Sequence, residues 1–536
     1  MTVRRLALWA VLVASLMLAA PPAGAAGSHA LIQGSGSSWS ANAVNQWVAD
    51  VQPSGLQVVY TASGSAQGRK DFGYRTNDFA VSEIGYQGAD PLTGESDTPQ
   101  GRGYAYLPLV SGGTAFPYQV RVRGQLVRNL RLSGRTLALI FTNQITDWSD
   151  PAITADNNGR ALPSLPITPV VHSEGSGSTA QFTRYMAQQF PDVWHGFAGQ
   201  ASFTEYYPRK GDAIAQSGSD GVMNFVSSAA ANGAIGYDEY SYALGKDYPV
   251  AKIQNSAGYF TLPTQYNVAV ALTQAVINKD KSSPDYLLQN LDNVYRFGDP
   301  RTYALSSYSY MIIPTAADDQ KMTTAKRQTL ADFLYYSICD GQKEVGPIGY
   351  SPLPINLVQA GFEQVGKLKQ ADGGVDLTAR DVSTCRNPTF VAGDPSRNYL
   401  AEIAPQPAAC DRAGQGPCAE GVGLAGVPGA GGPDPLDPSG GGGSTDPSGS
   451  TDNSTAATTA DAAGAQELAD GVAVDQAAAG GAAEGVVGDV PNQVVPAKAA
   501  AASMVLIPLA ILLLLAVVFV PGLLTRALDR KPKVEP

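Results

Sequence analysis

Residues 413–497 contain no Lys, no Arg and no aromatic residue. Gly, Ala, Ser, Pro and Asp dominate there, as in the string GGGGSTDPS at 440–448. Such a stretch has too little apolar surface to offset the entropy of ordering it. Any core this chain builds must therefore come before it. The stretch itself reads as a disordered tether, with an r.m.s. reach on the order of 50 Å for a flexible coil of its length. Its acidic residues contribute to the formal net charge of -11. No basic cluster interleaved with aromatics is present, so nucleic acid is not an expected partner.

The ends of the chain set its compartment. Arg4 and Arg5 precede an apolar run at 6–20 and the small-residue stretch Ala23, Gly24, Ala25, Ala26. This is the three-part layout of a secretory signal peptide, assigned to residues 1–26. No cysteine follows it, so a lipid anchor at that end is not expected. Residues 499–524 carry no charge and include the apolar string MVLIPLAILLLLAVVFV at 504–520, long enough for a transmembrane helix. Arg526, Arg530, Lys531 and Lys533 follow, and this basic tail, residues 525–536, is expected to stay cytoplasmic with everything before the span outside. The expected location is the cell membrane, single-pass, with the N-terminal part extracellular.

In a chain that matures outside the cell, the four cysteines, Cys339, Cys385, Cys410 and Cys418, point to disulfides. Three pairings are open; Cys339–Cys385 with Cys410–Cys418 is the one we favour. Their spacings match no zinc pattern, and only His29, His172 and His195 could supplement them. No cofactor is expected.

Between about residues 30 and 400, short β-branched runs alternate with amphipathic helical stretches, the pattern of an α/β fold. Strand candidates are 57–60, 168–171, 268–271 and 310–313. Helix candidates carry apolar stripes at Val44, Trp47, Val48 and Val51, at Phe182, Tyr185, Met186 and Phe190, at Val222, Phe225 and Val226, and at Leu330, Phe333 and Leu334. Gly and Ser cluster in four loops that open helices or turns: GSGSSW at 34–39, SGSAQG at 63–68, GSGST at 175–179 and SGSDG at 217–221. Glycine lets backbone approach closely, and N–H groups at a helix start with serine hydroxyls make a site for an oxyanion. Taken singly, each loop is equally well explained by Ser serving as an N-cap.

The order of these loops, with NDFAVSE at 77–83, LSGRTLALIFTNQITDW at 132–148, VVHSEGSGS at 170–178, GVMNFV at 221–226, GAIGY at 233–237, SSYSY at 306–310, GQK at 341–343 and GYSPLP at 349–354, resembles the phosphate-specific solute-binding proteins of ABC transporters. The resemblance runs from about residue 32 to 362. It implies a two-lobed periplasmic-binding-protein fold (type II, Venus flytrap), with lobe 1 from 30–110 plus 262–400 and lobe 2 from 111–261. A ligand would sit between the lobes, whose hinge closure a permease recognises. Phosphate or a similar oxyanion and an ABC permease are the implied partners.

Carried over by position, the resemblance implies ligand contacts from Ser38, the Trp39 backbone, Ser65, Ser176, the Gly177 backbone and Ser178. Two charged positions depart from the family. Its aspartate, which accepts the proton of hydrogen phosphate, falls on Glu83, one methylene longer. Its arginine, a fixed bidentate donor, falls on His172, with Glu174 two residues on and able to hold the imidazole protonated. If it does, binding is expected to strengthen below about pH 6.5.

No G-x-S-x-G elbow, H-E-x-x-H or P-loop lysine motif occurs, so an enzyme is not expected. A Ser176, His172, Glu174 constellation would be crowded into one loop. The rival to oxyanion binding is the same fold repurposed as a surface receptor or interaction protein, which the anchor and the two altered positions favour.

Overall fold

The computed structural model describes residues 29–89, 94 and 96–418. The expected signal peptide, the tether beyond 418, the transmembrane helix and the basic tail all lie outside the described residues. Among those described, no helix is long and apolar enough to cross a membrane.

The strands that organise the molecule are β1 (Ile32–Gly36), β2 (Val58–Thr61), β3 (Phe79–Ser82), β4 (Tyr104–Ala115), β5 (Arg131–Leu132), β6 (Thr168–His172), β7 (Ile214–Gln216), β8 (Ala234–Gly236), β9 (Asp238–Glu239), β10 (Lys252–Gln254), β11 (Phe260–Thr261) and β12 (Ser306–Pro314). The main helices are α1 (Ala41–Val51), α2 (Ser65–Gly73), α3 (Gly177–Gln189), α4 (Gly218–Ser227), α5 (Gln265–Leu272), α6 (Thr324–Ile338), α7 (Ile355–Ala371) and α8 (Tyr399–Ile403). Helices and parallel strand pairs alternate through the first third of the chain, as the α/β reading requires.

A six-stranded sheet in the order β9-β4-β12-β3-β1-β2 forms the larger layer. Strand β1 runs parallel to both β2 and β3, while β12 pairs antiparallel with β3 and β4. Every residue of β12 is buried: it is a central strand, paired on both edges by β4 and β3, with α5 packed against it. A second sheet, β7-β6-β8, is wholly parallel. The two are linked where β8 runs through Tyr237 into β9, which pairs with the end of β4 at Ala115 and Thr114. A third small sheet, β11-β10-β5, lies beyond that junction.

The apolar stripes read from the sequence are core. Val44, Trp47 and Val51 of α1, Phe182 and Met186 of α3, and Leu330, Phe333 and Leu334 of α6 are all buried. One expected strand is corrected: residues 268–271 lie inside helix α5, whose N-cap Thr264 accepts from the Asn267 backbone N–H. The run from Val268 to Leu272 is buried on every side, so it carries no helical stripe. A short continuous apolar run does not distinguish a strand from a buried helix.

The folded part also extends further than expected. Cys410 is bonded to Cys418, and Cys339 to Cys385, which is the pairing we favoured. Residues 413–418, expected to begin the tether, instead close a loop against β5 and β10. Arg131 donates to the carbonyls of Cys410 and Gln415 at 2.9 and 2.8 Å, and Asn158 donates to that of Gly416 at 2.8 Å. Upstream of the loop, α8 packs Leu400 and Ala401 on Ala269 and Val270 of α5.

Within the loop, Lys252 Nζ lies 2.8 Å from both Asp411 oxygens, and both side chains are buried. Burial pulls the ammonium's pKa down, against the charge of Asp411. Removing one member of such a pair leaves an uncompensated buried charge. Asp411→Ala is therefore expected to destabilise the protein by about 3 kcal/mol, measurable as a lower urea midpoint at unchanged m-value.

Candidate functional site

All four Gly/Ser loops stand at the start of a helix. The first follows β1 into α1. The second opens α2 at Ser65, the third opens α3 with Ser176 as N-cap, and the fourth opens α4 with Ser217 as N-cap. The first two belong to the large sheet and the last two to the small parallel one, and their tips meet in a buried seam. Close approach is possible because the backbone is bare at key points. Gly36 has φ +139°, and a Cβ there would collide with the Val81 backbone.

The seam is bridged directly. Ala66 N donates to Gly175 O at 3.1 Å, and Gly177 N to Ser65 Oγ at 3.2 Å. Ser219 N donates to Ser38 Oγ at 3.1 Å, the two hydroxyls lie 3.0 Å apart, and Tyr242 donates to the Ser38 carbonyl at 2.6 Å. Gln181 Nε2 donates to the Glu83 carbonyl at 3.0 Å. An ion pair also crosses the seam: Arg69 of α2, fully buried, donates to both oxygens of Glu205 at 2.6 and 2.8 Å and to Asp97 at 2.8 Å. Burial alone would lower the arginine pKa, but the two carboxylates more than reverse this and keep it charged.

At the centre lies Glu83, at the end of β3 and only 1% exposed. Its Oε1 lies 2.5 Å from Ser37 Oγ and 3.0 Å from the hydroxyls of Ser40 and Ser309. Its Oε2 accepts from Ser65 Oγ at 2.7 Å. No cation among the described residues pairs with it. Gly177 lies so close that a Cβ there would collide with Oε2 and stand 2.7 Å from Ser65 Oγ. The carboxylate thus sits among neutral donors at the N-terminus of α3, where the backbone favours negative charge. Burial, followed by the charge of Glu83, raises the pKa of Tyr60, whose hydroxyl donates to the Ser37 carbonyl.

Of the residues expected to form the site, Ser65, Glu83 and Gly177 are in mutual contact, and Ser38 stands beside them bonded to Ser219. Trp39 is buried edge-to-face against Tyr350, with centroids 5.7 Å apart. Ser176 caps its own helix, its Oγ accepting from Thr179 N at 3.4 Å. Ser178 is buried, and its Oγ has no hydrogen-bond partner in the described structure.

His172, at the end of β6, faces Tyr237 with ring centroids 5.3 Å apart. Its Nδ1 lies 2.8 Å from Glu174 Oε1, while its buried Nε2 has no partner. Burial would lower the imidazole pKa, but the hydrogen bond and charge of Glu174, aided by Asp238, leave it raised. For Glu174, burial is outweighed by His172 and the Gly218 N–H, so its pKa is lowered. Asp238, by contrast, is pushed up to about 7, chiefly by burial.

Sequence reasoning missed Ser37, Ser40, Ser309, Ser219 and the Arg69–Glu205 pair. Ser37 sits inside a loop that was singled out, and Ser309 inside SSYSY. Neither loop nor string says which serine turns inward.

The chain is similar to several known proteins. A model described as the PBP superfamily domain matches residues 22–341. The phosphate-binding protein PstS 3 of Mycobacterium tuberculosis is 31% identical over 340 residues, covering 61% of this chain and 84% of its own. The phosphate-binding protein PstS of Xylella fastidiosa is 28% identical over 340 residues, covering 63% and 86%. Among solved structures, a high-affinity periplasmic phosphate-binding protein, PfluDING, superposes with a TM-score of 0.49 at 19% identity, covering 65% of this chain and 99% of its own.

Two outcomes follow from the geometry. Gly177→Ala is expected to force Glu83 and Ser65 apart, costing about 1–3 kcal/mol of stability by overpacking, read by thermal unfolding. For the His172–Glu174 pair, the raised imidazole pKa means its stabilisation is fully present below the unfolded-state value and is lost as pH rises through the folded one. The lowered Glu174 pKa means its share is present above its unfolded value and is lost toward acid. The stability difference between wild type and His172→Gln is therefore expected to peak between about pH 5 and 6.5 and to shrink toward pH 9.

Proposed function

This chain belongs to the PBP superfamily, and from that premise we propose that it binds phosphate or a related oxyanion in the buried seam between two lobes, 30–110 plus 262–400 and 111–261. The work is binding, not catalysis. Ser38, Ser65, Ser176, Ser178, His172 and the backbone at Trp39 and Gly177 supply the donors. The signal peptide, tether and C-terminal span read from the sequence make it a surface-anchored extracytoplasmic protein, serving an ABC permease or a sensor.

The observation that carries this reading is that the four helix-opening Gly/Ser turns meet across one buried seam, the second with the third through Ser65 and Gly177 and the first with the fourth through Ser38 and Ser219. Ser178 Oγ, in the first turn of α3, and His172 Nε2, at the end of β6, are two of the buried polar atoms that have no partner among the described residues, and a ligand would satisfy them. The relatives' names, phosphate-binding protein, agree with that chemistry.

A second reading, the fold repurposed as a cell-surface receptor or interaction protein, is favoured by one observation. The seam is already bridged by the protein's own groups, with a carboxylate among the serines. Titration with inorganic phosphate, sulfate and arsenate at about pH 5.5 and 7.5 separates the two. The oxyanion reading expects saturable phosphate binding, weakened about tenfold by Ser178→Ala, since one lost hydrogen bond to a charged group is worth about 1.5 kcal/mol or more. Absence of binding by any anion leaves the second reading standing alone.

A further inference from the structure

We propose that Glu83 is a tethered competitor of the oxyanion: its carboxylate takes the ligand's place among the serines when the seam is empty and swings toward Arg184 when a free anion enters. The inference rests on the oxyanion reading above and deepens it.

The first support is what surrounds the carboxylate. A buried carboxylate is ordinarily held by a cation or by fixed charge-assisted donors, because burial of an uncompensated charge is costly. Glu83 has four serine hydroxyls and the mouth of a helix, and no cation. Ser65 is the key group. It donates to Glu83 while accepting from Gly177 N, so the carboxylate is linked through one hydroxyl to the N-terminus of α3. This is the donor set of an oxyanion nest, occupied by a side chain of the same sign and shape as part of the ligand.

The second support is independent and lies on the other side of Glu83. A cavity of about 440 Å³ is lined by Glu83, Gln87, Arg184, Asn278, Asn290 and Tyr310, among others. Arg184 makes no ion pair or hydrogen bond among the described residues. Its guanidinium stacks on the Phe203 ring, 4.0 Å from the centroid, and burial lowers its pKa. The hydroxyl of Tyr310 is also buried and unbonded.

Helix α3 places these groups in line. Gly177, Gln181 and Arg184 are four and three residues apart, one face of a helix. Gly177 meets the Glu83 carboxylate and Gln181 bonds the Glu83 carbonyl. Arg184 is the next residue along that face, lining a cavity that Glu83 also lines. The Glu83 side chain therefore has one site filled by its own carboxylate and borders a cavity that holds a cation with no direct ion pair, Asp292 being the acid that acts on it. An entering dianion would repel Glu83 and take its donors, and the pairing with Arg184 would offset the loss.

A binding-competent state populated only in part weakens apparent affinity by that fraction. Removing the competitor raises it. This separates the proposal from the plain alternative that Glu83 is itself a ligand contact, for which its removal weakens binding. The test measures inorganic phosphate binding to the full-length protein by equilibrium dialysis, for wild type, Glu83→Ala, Glu83→Gln, Arg184→Ala and the Glu83→Ala/Arg184→Ala pair. Thermal unfolding checks each variant. If Glu83→Ala does not fold, the isosteric Glu83→Gln carries the comparison.

The expected result is phosphate affinity at least about tenfold tighter in Glu83→Ala, as for a nest free about a tenth of the time in wild type. Arg184→Ala is expected to weaken wild type, with that effect shrinking to under about twofold in the Glu83→Ala background, the signature of coupled residues. If wild type binds phosphate and both Glu83 variants bind it equally or more weakly, the competitor is overturned and the oxyanion reading survives. If neither wild type nor any folded variant binds phosphate, and sulfate and arsenate measured in the same way also fail to bind, both are overturned.

Discussion

The fold turns on a carboxylate that has hydroxyls for partners instead of a cation. Glu83 closes β3, the strand between β1 and β12, and its oxygens are where the first two Gly/Ser turns and the strand serine Ser309 converge. Through Ser65 the same carboxylate reaches the start of α3, and through its own carbonyl it holds Gln181 further along that helix. The geometry of the turns, the bareness of Gly177 and the burial of Arg69 against Glu205 all serve to bring the loops of two sheets within hydrogen-bond distance of one another. A seam this polar is stable only because its backbone and side-chain donors are matched across it.

That arrangement divides the charges of the region into two kinds. Arg69 is locked by Glu205 and Asp97, while the His172 ring is held through Nδ1 by Glu174 with Nε2 unbonded. Arg184 makes no direct ion pair among the described residues, stacking on Phe203 with Asp292 as the acid that acts on it. The Glu83 carboxylate reaches the serines of three segments, and the His172 imidazole is held by Glu174.

Much of this was legible in the sequence, and the parts that were not share a cause. The α/β class, the apolar stripes and the four Gly/Ser loops follow from period and from backbone chemistry, which are local. The helix at residues 265–272 was misread because a segment buried all round has no period to read. Ser37, Ser40 and Ser309 were invisible because their role depends on which way a hydroxyl points after three separate segments have met. The end of the folded part was misplaced because composition says that 413–418 cannot build a core. These residues belong to the fold through bonds that Arg131, Asn158 and Lys252 make to the loop they close.

The disulfide between Cys410 and Cys418 bears on how the molecule carries load. Tension on the chain beyond Cys418 passes through the covalent bridge to Cys410 and bypasses the residues between them. The contacts of Arg131 with Gln415 and of Asn158 with Gly416 are thereby spared the pull. The force is delivered instead at Cys410, whose carbonyl Arg131 holds, and from there to the segment running back to α8, where Arg301 bonds the carbonyls of Ala404 and Ala401 and Leu400 and Ala401 pack on Ala269 and Val270.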